Sequence, residues 1–94
     1  MVLNDETSVV SFSEAVYVRA KIQIISHMLS VGQKQIAIRY LKKVIFDHNR
    51  NYRVQAMVLE RAAKLILRGG QNGVGDVFSI KEFTGQVLRD VALD

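Results

Sequence analysis

The chain has no cysteine, no proline and no tryptophan. Without cysteine there can be no disulfide, no thiolate metal site and no cysteine nucleophile. Without proline, only glycine and polar turns are left to interrupt a helix. Histidine occurs twice, as His27 and His48. Neither belongs to an H-x-x-x-H or H-E-x-x-H pattern, so zinc has no ligand set. Asp47 adjoins His48, but neighbours on a helix point about 100° apart and make no acid–base dyad. No G-x-S-x-G is present. Four of the six glycines fall in residues 69–76. They follow a helical pattern and no Lys-Ser/Thr pair comes after them, which excludes a P-loop and leaves a linker or hinge. Apolar runs never approach the ~20 residues of a membrane span. The start, Met1-Val2-Leu3-Asn4-Asp5-Glu6, is acidic where a signal peptide is basic. The expectation from these absences is a non-enzymatic, intracellular (cytoplasmic) protein with no catalytic residues, no bound metal and no cofactor.

What is present is apolar surface and unevenly placed charge. Apolar residues make up 49% of 94 positions, high for one soluble domain. A chain of this length buries only ~60–65% of its unfolded surface. The excess therefore predicts a homo-oligomer or a protein partner. Residues 34–68 hold nine basic side chains against Asp47 and Glu60, whereas both flanks are mildly acidic. A basic middle segment suits an acidic protein or a nucleic acid, or simply solvates the outer faces of two helices.

Periodicity predicts an all-α single domain over 1–94, a bundle of about four helices with a central helical hairpin. Residues 1–10 form an arm. Ser11-Phe12-Ser13-Glu14 has capping-box spacing and opens the first helix, which ends at Gly32. The second helix covers about 33–48. Asn49 or Asn51 then caps a third helix from Tyr52 to Arg68. Its apolar residues, among them Val54, Met57, Val58, Ala62, Leu65 and Ile66, spread around most of the circumference. That distribution predicts a central helix or an oligomer interface, with Met57, Val58 and Leu65 as the candidate contact residues. After the glycine-rich loop at 69–76, a second capping box at Ser79–Glu82 opens the last helix, with Phe78 and Phe83 as a hydrophobic staple. Ile80, Phe83, Val87, Leu88 and Val91 form its apolar face.

Arg39, Lys42, Lys43, Phe46 and Arg50 recur at intervals of three and four, and Tyr52 and Arg53 follow in the turn. Cations around an exposed ring are what phosphates and bases require. These seven residues are the candidate face for a polyanion or an acidic partner. The alternative is that Phe46 packs under the last helix or across a dimer while the cations snorkel around it. Two resemblances are partial. The turn at Gly32, with Ile38 and Leu41 beyond it, is similar to a helix-turn-helix, although Met28 is large where a small residue is usual. Ala37-Ile38-Arg39-Tyr40-Leu41-Lys42-Lys43-Val44-Ile45, then Asn49 and an alanine-rich helix, resembles a tetratricopeptide-type unit over a third of the chain. The proline usual at that family's turn is absent, and no further repeat follows. The resemblance implies a helical hairpin over residues 20–68. Function is thus expected to be that of a small helical interaction module, an adaptor or regulator working through protein contacts. The alternative is a nucleic-acid-binding regulator using the basic face of 34–68.

Overall fold

The computed structural model describes residues 11–68 and 77–93. Four helices account for nearly all of them: α1 (Phe12–Ser30), α2 (Lys34–Asp47), α3 (Tyr52–Arg68) and α4 (Val77–Leu93). The all-α bundle expected from the periodicity is what forms. The arm at 1–10 and the glycine-rich loop at 69–76 lie outside the described residues.

Local chemistry sets most of the boundaries. At the start of α1, the Ser11 hydroxyl accepts from the Glu14 N–H at 3.1 Å. The Glu14 carboxylate accepts from the Ser11 N–H at 3.2 Å, which completes the capping box. At its end, Gly32 takes φ +78°. The Gly32 N–H reaches the Leu29 carbonyl at 3.0 Å and the Gln33 N–H reaches that of Met28 at 2.9 Å. This is a Schellman stop, and glycine is the residue that tolerates it without a Cβ penalty. Of the two asparagines in the next turn, Asn51 is the cap, its side-chain oxygen accepting from the Val54 N–H at 3.2 Å.

One boundary differs from expectation. α4 begins at Val77, so Ser79 and Glu82 lie within the helix and do not form its capping box. Phe83 packs against the core, while the Phe78 half of the expected staple lies outside the described side chains.

Cross-helix pairs give the directions. Tyr17 meets His48, and Lys21 lies 5.8 Å from the centre of the Tyr40 ring. Numbers rise along α1 as they fall along α2, so the two are antiparallel. α2 and α3 each pack against all three other helices, whereas α1 and α4 do not meet. The core lies between them, with Val18 and Ile25 from α1, Leu41 and Ile45 from α2, Val54 and Val58 from α3 and Val87 from α4 all at most 2% exposed. Full burial of side chains this size contributes roughly 1.5–3 kcal/mol each.

α3 is central, as its apolar content requires, but it is not apolar on most sides. Its buried residues Val54, Val58, Leu59, Ala62, Ala63 and Ile66 fall within about half a turn at 100° per residue. Glu60, Arg61, Lys64 and Arg68 occupy the outer side. α1 is the helix with apolar residues all round: it buries Val18 and Ile25 and exposes Phe12, Val16 and Ile24. On α4, Leu88 is 43% exposed, because it sits about 100° round from the fully packed Val87.

Candidate functional site

The basic residues of α2 converge on an open groove against α4. Arg39, Lys42, Lys43 and Phe46 line it from α2, and Val91 lines it from α4, enclosing about 320 Å³. Phe46 is 52% exposed, so it does not pack beneath α4. The helical period brings the four α2 residues to one side, and the packing of α2 on α4 adds the far wall.

The groove is less basic than its sequence implies. Lys42 Nζ lies 2.8 Å from the Asp90 carboxylate. Lys43 Nζ lies 3.4 Å from Asp47, one helical turn on. Asp90 is held below the ordinary carboxylate range, first by the hydrogen bond from Lys42 and then by that from Gln86. Three cations therefore face two carboxylates already in place. Arg39 has no ion pair among the described residues.

The other three residues of the expected face lie elsewhere. Arg50 and Tyr52 are exposed in and just after the turn, Tyr52 by 74%. Arg53 is half-buried with its charge close to Glu14. None of the three lines the groove. The turn serves instead as a structural junction. Asn51 donates to Glu14 at 2.7 Å, and His48 Nε2 lies 2.7 Å from the Tyr17 hydroxyl with the two rings edge to face. The Glu14 carboxyl is pulled below its ordinary value, chiefly by the Asn51 bond and next by the Ser11 N–H. His48 is thus tied to a phenol, and its neighbour Asp47 to a lysine. No cluster of three or more His, Asp or Glu with metal-binding proximity occurs among the described residues.

The expected oligomer contact is corrected in part. Val58 is 0% exposed inside the chain's own core and presents nothing to a second copy. Met57 and Leu65 are half-buried. The apolar surface that does reach solvent lies on α1, where Phe12 is 85%, Val16 51% and Ile24 39% exposed. With exposed Ala20 they form an unbroken i, i+4 row, the kind of ridge that enters a groove on another helix. Arg19 is the only formally charged residue among the eleven exposed residues of α1, whereas four of the six exposed on α3 are charged. A solvent face so poor in charge resembles the centre of a protein interface. The signal was in the sequence, since apolar residues at 12, 16, 20 and 24 alternate with a second set at 18, 22, 25 and 29. Which set turns inward depends on α2 and α3. Asp90 and Val91, 44 or more residues from the groove's other members, carry no comparable signal.

No helix among the described residues is long and apolar enough to cross a membrane. No protein-family model, curated protein or solved structure matches the chain.

Proposed function

We propose that this protein is a small, non-enzymatic helical interaction module that pairs with a second copy of itself through the outer face of α1. The observation that carries the reading is the ridge Phe12–Val16–Ala20–Ile24 on a face with one formal charge. Charge also favours a second copy as the occupant. The chain is net +4 and its cations concentrate in residues 34–68, so two copies repel wherever α2 or α3 would meet its like. The α1 face, with Arg19 as its one formal charge, avoids the concentrated charge of α2 and α3. Ala20, in the middle of the ridge, allows close helix approach.

Sedimentation equilibrium from ~1 to ~500 μM spans the affinities such a contact supplies. The chain should associate reversibly. The double substitution Val16→Glu, Ile24→Glu should hold it monomeric without changing its helical content, because both side chains are exposed. A wild-type chain monomeric throughout the range, or a double variant that still associates, would overturn the reading.

Nucleic-acid binding through the basic face of residues 34–68 is the second reading. The exposed Phe46 ring among cations favours it. The carboxylates of Asp47 and Asp90, already seated on Lys43 and Lys42, weigh against it.

A further inference from the structure

The groove between α2 and α4 uses none of the residues of the α1 face. We infer that it is a docking site for an extended acidic peptide segment of a partner protein, of the pattern Asp-x-Asp-x-Leu. Arg39 and Lys43 stand one helical turn apart, about 6 Å along the axis, and Phe46 follows about 4.5 Å further on. In an extended chain, alternate side chains share a face and recur every ~6.6–6.8 Å. Two carboxylates at that spacing meet Arg39 and Lys43. The next side chain on the same face reaches Phe46 and Val91, the two apolar residues of the open groove. Lys42, also in the lining, is held by Asp90.

The acids beside the groove and its apolar end separate a peptide from a nucleic acid here. Its three lining cations face the carboxylates of Asp47 and Asp90, and Arg89 adds a further positive charge near Asp90. Two peptide carboxylates meet Arg39, which has no ion pair among the described residues, and Lys43, whose side chain is 72% exposed and whose contact with Asp47 is long at 3.4 Å. A phosphate backbone would also run past Asp47 and Asp90, and it offers no aliphatic side chain to fill the space beside Val91. The groove thus suits paired carboxylates with an aliphatic anchor.

The test is fluorescence anisotropy on the full chain with two labelled probes. One is a 12-residue peptide carrying Asp-Gly-Asp-Gly-Leu between Gly/Ser flanks; the other is a 12-nucleotide oligothymidine. The peptide should bind with Kd of order 10–100 μM. Arg39→Glu and Phe46→Ala should each weaken it about tenfold or more, while Arg39→Lys retains most of the affinity. Both residues are exposed, so circular dichroism should be unchanged. The Val16→Glu, Ile24→Glu variant should bind the peptide normally, which keeps this inference distinguishable from self-association. Peptide binding undetectable at ~1 mM, binding indifferent to Phe46→Ala and Arg39→Glu, or oligothymidine binding tighter than the peptide with a steep salt dependence would each overturn it.

Discussion

Single residues fix both ends of α1 and the start of α3, and two glycines show how context reverses the effect of one substitution. Gly32 sits at φ +78° with nothing within 4 Å of where a Cβ would be. Its conformation alone penalises a side chain, so Gly32→Ala should destabilise the protein by about 1 kcal/mol. Gly85 lies inside α4 with ordinary helical backbone, and its added Cβ would meet only the Arg89 guanidinium at 3.7 Å. Gly85→Ala should stabilise by about 0.5–1 kcal/mol. Urea unfolding of both variants checks the pair, and equal signs would contradict the geometry. Gly32 was legible in the sequence as a stop. Asn51 was legible only as one of two candidate caps. Its choice over Asn49 follows from its second bond, to Glu14 on α1, 37 residues away.

At the level of elements, the apolar count of a helix and its sidedness proved to be separate properties. α3 has more apolar residues than a surface helix needs, yet the residues its packing exposes are chiefly charged. α1 has a comparable apolar content but spreads it, so one set faces α2 and α3 and another faces solvent. Leucines on α2 and α4 make the contrast measurable. Leu41 is 0% exposed and Leu88 is 43% exposed. Leu41→Ala should cost about 2–5 kcal/mol, from lost transfer energy plus a cavity. Leu88→Ala should cost under about 1 kcal/mol, as at other partly exposed sites. Denaturation midpoints at constant m-value report both. Similar losses at the two positions would mean that Leu88 is covered in solution, for example by association.

For the whole molecule, acid should loosen two long-range ties together. Glu14 joins the cap of α1 to the cap of α3, and Asp90 joins α4 to α2. Both carboxyls are held below their ordinary values in the folded state. A depressed pKa contributes stability that is fully present above the unfolded-state value and lost as pH falls through the folded one. The contribution of these two carboxyls to thermal stability should therefore be level above about pH 5 and decline from about pH 4 downward. Asn51→Ala removes the largest cause of the Glu14 depression. Its stability should be lower at neutral pH and should fall less steeply in acid. A variant and wild type that decline in parallel would show that the Asn51–Glu14 bond does not contribute.

The sequence by itself determined the helices, because caps, stops and the 3.6-residue period are local. It also determined the basic character of residues 34–68. It did not determine which side of an all-round apolar helix turns inward, nor which acids meet which lysines. Val58 went into the core while Val16 and Ile24 came to the surface, because α2 and α3 cover one side of α1 and leave the other open. Lys42 met Asp90 because α4 packs on α2, a contact 48 positions apart in the chain. Burial and ion pairing depend on non-local neighbours, and only tertiary packing chooses those neighbours.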